Sequence, residues 1–191
     1  MNNIVLIRHG ETDMAGRFCG HSDPDLNPAG VCQVICLAEE LATLGIEHIY
    51  SSDLRRASLT AKAIALRIGA DVHHLPALRE IHFGQWEGLD WQEIEDRFSD
   101  EANRWLREFP LQSAPGGEAY ADFTARIDAT LQPFLEATES KTIAIVTHRG
   151  VISYALTRFF GFSHDEAWTK TAPYCSTVIT ARPKCNHGVS L

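Results

Sequence analysis

Ile4-Val5-Leu6-Ile7-Arg8-His9-Gly10-Glu11-Thr12 is the stretch on which the reading of this chain turns. Four consecutive apolar residues predict a short strand covered on both faces, as in a parallel sheet buried between helices. The run ends on a histidine flanked by Arg8 and Gly10. Ligands of open α/β sheets bind beyond the carboxyl ends of the strands, so an imidazole there is well placed for function. Beside a guanidinium that cannot lose its proton, it suits a nucleophile aimed at an anion. Taken alone, the same residues also fit a strand-end histidine bonded to nearby backbone.

The second half of the chain repeats the arrangement. Thr142-Ile143-Ala144-Ile145-Val146 is another short apolar run, followed by Thr147-His148-Arg149-Gly150 and a helix-like segment. A helix start offers unpaired N–H groups and the positive end of the macrodipole, which makes it an anion site. Two strand-end histidines, each beside an arginine, are hard to explain by packing. A third strand-to-helix junction runs from Ile49 to Ala61, with Ser52 or Asp53 as the expected N-cap. Arg56 then falls in the first turn, where a cation opposes the helix dipole, a position that makes sense if it reaches a phosphate. Arg55 is assigned to solvent.

Working outward, strands are predicted near 3–8, 46–51, 72–75, 142–147 and 175–182, and helices near 28–43, 55–68, 90–97, 100–108, 118–137 and 150–160. Pro28 after Asn27 starts the first helix, and Gly45 is expected to stop it after Leu44. The alternation predicts an α/β three-layer sandwich, with a mostly parallel central sheet flanked by helices. Residues 1–191 are expected to form a single domain. Segment 82–117 is strand-poor and contains Trp86, Trp91 and Trp105; it is expected to be a helical insertion over the active site. Trp91 and Trp105 are expected to fill that insertion rather than wall the pocket. The tail from Arg182 to Leu191 is poor in apolar residues.

Composition limits the partners. A net charge of −8 disfavours nucleic acid and acidic membrane surfaces, which need a basic face. No apolar run reaches the length that spans a bilayer, and the N-terminus lacks the pattern of a signal peptide. The five cysteines (Cys19, Cys32, Cys36, Cys175 and Cys185) are odd in number and lack CxxC spacing, so they read as reduced thiols of a cytoplasmic protein. Cys32 and Cys36, four apart on a predicted helix, are expected to face the core. Cys19 lies within a site block, so its modification is expected to inhibit. A homodimer is left open.

The blocks LIRHGET (6–12), CGHSDPDLNPAG (19–30), SSDLRRASLTA (51–61), LREIHFGQWEG (78–88), PGGEAYADFTAR (115–126) and VTHRGVI (146–152) are spread along the chain from residue 6 to residue 152. In this order they resemble the histidine phosphatase superfamily, which includes phosphoglycerate mutase, fructose-2,6-bisphosphatase and α-ribazole-phosphate phosphatase. The resemblance implies that His9 is the phosphoryl acceptor, His148 the second active-site histidine and Glu80 the general acid. It marks Arg8 and Arg56 as phosphate clamps and Gly20 as a backbone donor to the same phosphate. It also implies a small phosphorylated metabolite as the partner.

The chemistry is consistent with those roles. Arginine forks hold the equatorial oxygens of a phosphate monoester, and His148, charged when phosphate is bound, adds a donor as charge spreads in the transition state. His9 must be neutral at its attacking nitrogen, with the other nitrogen held by a backbone carbonyl. Its attack gives a phosphohistidine and splits one hard step into two. Glu80 protonates the leaving oxygen and then activates water, so it is expected against apolar or anionic neighbours that help it keep a proton. No metal or cofactor is expected, because the arginines and histidines supply the positive charge.

Some positions depart from the family pattern. Ala15 stands where relatives carry asparagine, so one phosphate-orienting amide is either missing or replaced by Arg17 or a backbone group. Arg149 follows the second histidine where relatives often have glycine or glutamine; it reads a second negative group, narrows the pocket or faces solvent. The motif usually written GGES ends in Ala119. His21 is either a substrate contact or a solvent-exposed loop histidine. With 34 residues between Glu80 and Pro115 of PGGE, water should reach the intermediate, which favours a phosphatase over a mutase. The GFSHDEAW stretch (161–168) looks most like α-ribazole-phosphate phosphatase. Alternatives are a mutase, a fructose-2,6-bisphosphatase-like sugar-phosphate phosphatase and, from another class, a phospho-ligand-binding module without turnover. A dinucleotide enzyme is disfavoured, since no GxGxxG comes after the first strand.

Overall fold

Ile4 and Leu6 pack on one side of strand β1 (Asn3–Arg8), Val5 and Ile7 on the other, and all four are buried. That two-sided burial is why the strand reads as an unbroken apolar run. The computed structural model describes residues 3–137 and 141–181. After β1 the chain forms α1 (Pro28–Leu41), β2 (Ile46–Ser51), α2 (Arg55–Ile68) and β3 (Asp71–His74). Next come α3 (Trp91–Arg97), α4 (Ser99–Glu108) and α5 (Tyr120–Glu136), then β4 (Thr142–Thr147), α6 (Arg149–Phe160), α7 (His164–Lys170) and β5 (Thr177–Ala181). The sheet order is β3-β2-β4-β1-β5, parallel throughout except for β5, which runs antiparallel along β1.

Helices cover both faces. Val5, Ile7, Ile49 and Val146 pack against Leu37 and Leu41 of α1 and Ala57 and Ile64 of α2. Ile4, Leu6 and Ile145 pack against Phe123 and Ile127 of α5 and Ile152 and Leu156 of α6. Each of these valine, leucine, isoleucine and phenylalanine side chains, fully buried, contributes roughly 1.5–3 kcal/mol. A third cluster sits apart from the sheet: Trp86, Ile94, Ala102 and Ala114, with Phe18, Trp91 and Trp105 packed around them. It gives residues 83–114 an apolar centre of their own, with α3 and α4 around it.

The helix starts obey their sequences. Asn27 accepts from the Gly30 N–H at 2.7 Å with Pro28 in the first turn, and α3 and α7 open with capping boxes (Asp90/Glu93, Ser163/Glu166). α2 differs from expectation, since Leu54 rather than Ser52 or Asp53 occupies its N-cap position. Its free N–H groups are met from outside: Arg55 N–H donates to Asp23 at 2.6 Å, and Leu54 N–H to Ser52 Oγ at 3.3 Å.

Other expectations are corrected. α1 ends at Leu41 rather than near 43; Gly45, at φ +62°, shapes the turn into β2 instead of stopping the helix. Cys32 and Cys36 are exposed, because Val34, Leu37, Ala38 and Leu41 already take the inward face of α1. Helix α7 has no counterpart among the predicted elements. The expected end of the last strand at 182, the tail and Cys185 lie outside the described residues.

The strand register brings the two histidines together. Arg8 pairs with Thr147, so His9 and His148 are the next residues of two adjacent parallel strands. Two imidazoles separated by most of the chain thus leave the sheet side by side.

Candidate active site

The His9 N–H donates to the Thr147 carbonyl at 3.0 Å, continuing the ladder one step past the strand end. The His9 and His148 ring centroids stand 5.1 Å apart, and both residues are buried. Nδ1 of His9 lies 2.7 Å from its neighbour's carbonyl, Gly10 O. A carbonyl only accepts, so Nδ1 carries the hydrogen and Nε2 keeps its lone pair. Burial, and then the charge of Arg56, hold His9 well below the ordinary histidine value, so the ring is neutral. This is the state a nucleophile needs.

His148 is held down in the same way, by burial first and then by Arg56 and His9. Its Nε2 lies 2.9 Å from Ser52 Oγ. That hydroxyl already accepts from Leu54, so its own hydrogen is available to Nε2, and the His148 hydrogen then sits on Nδ1. Nδ1 is buried without a partner among the described residues. So are the Nε atoms of Arg8, Arg56 and Arg149. All four residues line one cavity of about 690 Å³ at the carboxyl ends of β1 and β4. An unpaired buried donor is costly, and four around one hollow mark it as a seat for an anion.

The arginines are more committed than a free clamp would be. Arg56, 1% exposed, donates Nη1 to Ser22 O at 2.6 Å and Nη2 to Gly20 O at 2.7 Å. Its fork therefore holds the 20–22 loop, and Nε is the unengaged donor. Arg8 donates Nη1 to the carbonyls of Thr171 and Ala172, and its guanidinium lies 4.0 Å from the centre of the Tyr174 ring. Gly20 lines the cavity at φ +47°, and a Cβ there would meet Glu87 Oε1 at 2.2 Å. Glu87 in turn accepts from the backbone N–H groups of His21, Ser22 and Phe83. Only a residue without a side chain brings the loop this close.

Glu80 lines the cavity opposite the histidines, but its neighbours are not those expected. Oε1 accepts from Ile81 N–H at 3.0 Å and Oε2 from Gly150 N–H at 2.9 Å, in the first turn of α6. Backbone donors, rather than apolar or anionic groups, surround the carboxyl. Gly150 is what allows the approach, since a Cβ there would lie 2.4 Å from Oε1. His21 is neither a cavity contact nor a solvent-exposed loop residue: it is partly buried, with Nε2 2.9 Å from the Glu80 carbonyl.

Arg17 lines the cavity, yet its Nη1 is held by Gly88 O at 2.7 Å and Glu93 Oε2 at 2.6 Å. Ala15 is exposed and does not line it. Arg149 lies 3.6 Å above the Trp168 ring centre and donates Nη2 to Trp168 O at 2.9 Å. It therefore lines the far side of the hollow rather than facing bulk solvent. Cys19 lines the cavity too, and burial pushes its thiol up, which lowers its reactivity. Trp105 lines the cavity as well, contrary to the expectation that it serves packing alone; Trp91 stays in the third cluster.

A family model described as the histidine phosphatase superfamily (branch 1) matches residues 4–188. The chain belongs to this superfamily. It is 30% identical over 177 residues to phosphoserine phosphatase 1 of Hydrogenobacter thermophilus, covering 87% of this chain and 84% of that one. It is 34% identical over 160 residues to the metal-independent phosphoserine phosphatase of Arabidopsis thaliana, covering 80% and 66% of the two chains. Among solved structures, the α-ribazole phosphatase of Shigella flexneri superposes with a TM-score of 0.83 at 26% identity, over 93% of this chain and 89% of that one. Membership makes this histidine phosphatase a phosphoric monoester hydrolase, as the motif blocks implied.

Several residues of the site carry no signal in the sequence. Ser52 reads as a helix cap, whereas its hydroxyl meets His148. Glu87, Glu118 and Arg126 all lie inside the motif blocks, but nothing local says that they tie the loops together. Tyr174, whose ring is 5.7 Å from that of His9, precedes the last strand and carries no motif.

Proposed function

We propose that this histidine phosphatase hydrolyses a phosphate monoester through a phosphohistidine on His9, within a single domain in which residues 82–117 cap the site. The carrying observation is the fixed tautomer of His9, whose Nε2 lone pair shares one cavity with Arg8, Arg56 and a second imidazole that keep unpaired nitrogens. Nε2 attacks phosphorus as the ester oxygen leaves with a proton from Glu80. Water, deprotonated by Glu80, then displaces His9 and releases inorganic phosphate. Arg8, Arg56, the Gly20 N–H and His148 stabilise the transferring group. The chemistry assigns no step to a metal, in line with the metal-independent relative.

The rest of the cavity supports an alcohol with a bulky aromatic part. Trp105, Phe109, Tyr120, Phe123 and Tyr154 line it, with ring centroids 4.9 Å apart for Trp105–Phe109 and 5.3 Å for Phe109–Tyr120. α-Ribazole 5′-phosphate is a substrate of this shape, and the volume suits a ligand of its size. A second reading, a small ester with another anionic group such as phosphoserine, draws support from the unpaired Nε of Arg149 on the cavity wall. The net charge of −8 supports a small metabolite over nucleic acid or a membrane surface, and the free thiols at Cys19, Cys32, Cys36 and Cys175 support a cytoplasmic location.

Acid-labile, base-stable ³²P labelling on brief exposure to substrate, lost in His9→Ala, tests the intermediate. Turnover of p-nitrophenyl phosphate should resist EDTA and fall about 10⁴-fold or more in that variant. A binding module without turnover would show neither. A kcat/KM panel across α-ribazole phosphate, phosphoserine, fructose bisphosphate and 3-phosphoglycerate then ranks the substrate classes.

A further inference from the structure

Glu80 sits in irregular backbone between two short 3-10 turns, 76–78 and 84–86, with no strand or helix to fix it. His21 Nε2 meets its carbonyl at 2.9 Å and Thr147 Oγ1 donates to Leu78 O at 2.6 Å, but the side chain that makes the most bonds to this segment comes from α5. Arg126, in the second turn of α5, donates Nη1 to the carbonyls of Ala77 and Arg79, both at 2.7 Å, and Nη2 to that of Glu80 at 2.9 Å. The remaining donors of the fork go to Glu118, from Nε to Oε1 at 2.7 Å and from Nη2 to Oε2 at 2.9 Å. Glu118 Oε2 also accepts from His82 N–H at 3.3 Å. One ion pair thus holds the backbone on both sides of Glu80, from Ala77 to His82, and anchors it to a helix packed in the core through Phe123 and Ile127.

We infer that Arg126 is a positioning residue for the general acid, acting through Glu80 from outside the cavity lining, with Glu118, which reaches the cavity wall, fixing its guanidinium. The inference rests on the proposed role of Glu80. The Glu80 carboxyl must reach both the Gly150 N–H and the leaving oxygen, and a misplacement of about 1 Å suffices to cost about 10²-fold in rate. Lysine cannot replace Arg126, because a single ammonium cannot serve three diverging carbonyls and a carboxylate. The Glu118 carboxyl stays charged throughout: burial pushes it up, but the Arg126 fork and the His82 N–H outweigh that and leave it below its usual value.

Leaving-group dependence separates positioning of the acid from a merely structural role. p-Nitrophenolate departs with little protonic help, whereas an alkoxide does not. In Arg126→Gln, kcat/KM for an alkyl ester such as 2-phenylethyl phosphate should fall about 30-fold while that for p-nitrophenyl phosphate falls no more than about threefold. Inhibition by inorganic phosphate should stay within about twofold, since the His9 end is untouched, and Arg126→Lys should not restore the alkyl rate. Equal losses on both esters, or rescue by lysine, would overturn the inference. Glu80→Gln serves as the reference. If it shows the alkyl-selective loss and Arg126→Gln does not, the inference fails and the acid role stands; if Glu80→Gln shows no selectivity, the acid role itself fails. Should Arg126→Gln not fold, Glu118→Gln, which keeps the guanidinium, should show the same selectivity at about threefold, and its absence would count equally against the proposal.

Discussion

The two ends of the cavity are built differently. At the phosphate end, His9 and His148 leave paired strands, Arg56 is buried, and most ties run through main-chain atoms: Gly10 O, Thr147 O, Gly20 O and Ser22 O. At the far end, Phe109 and Trp168 are 44% and 50% exposed, and, apart from the Arg149 bond to the Trp168 carbonyl, the wall is side chain against side chain. Main-chain ties survive most substitutions, whereas ring contacts change with every residue. This lets one chemistry be kept while the group that carries the phosphate varies, as the differently named relatives illustrate.

Four measurements sharpen or break that contrast. Gly150→Ala places a methyl 2.4 Å from Glu80 Oε1 and so displaces the carboxyl, which should lower kcat for alkyl esters by roughly 10–100-fold while leaving phosphate affinity nearly intact. A proportionate loss of phosphate affinity would mean the acid and the anion seat are one unit. Arg149→Ala should shift preference between α-ribazole phosphate and phosphoserine by about tenfold, with turnover of a small aryl phosphate changed far less. A uniform loss across esters would move Arg149 to the chemical end.

The dryness of the phosphate end is testable by pH. Burial depresses both imidazoles, so below about pH 6.5 the unfolded chain binds protons that the folded chain refuses. Stability is full above that value and declines as the pH falls, by up to about 1.4 kcal/mol per pH unit for each histidine. Thermal melts of ligand-free protein should show this slope, and His148→Gln should flatten it; an unchanged slope would place the titration elsewhere. The smallest effect concerns the start of α5. Ala119 occupies its N-cap without a side-chain acceptor, so Ala119→Ser should raise stability by about 1 kcal/mol in denaturant unfolding and leave kcat unchanged.

Legibility in the sequence depends on the range of each interaction. The two apolar runs ending in histidine are readable because strand burial and helix capping are local, and the same local signals place four of the five strands to within a residue. Cys32 and Cys36 are misread because a four-residue spacing says that two residues share a face, but not which face is inward. Glu80 is found through its block, yet its environment is not, since the donors that meet it come from its next neighbour and from α6.

Residue order alone determined the kind of sheet, the two histidines and the arginines near them, because apolar periodicity and helix ends depend on a few adjacent positions. Tertiary structure decided that Arg8 pairs with Thr147, so that the imidazoles stand together, and that Arg126 holds the loop bearing Glu80. The reason is physical: strand register and guanidinium–carbonyl contacts join residues far apart in the chain, and their geometry exists only once the layers have packed.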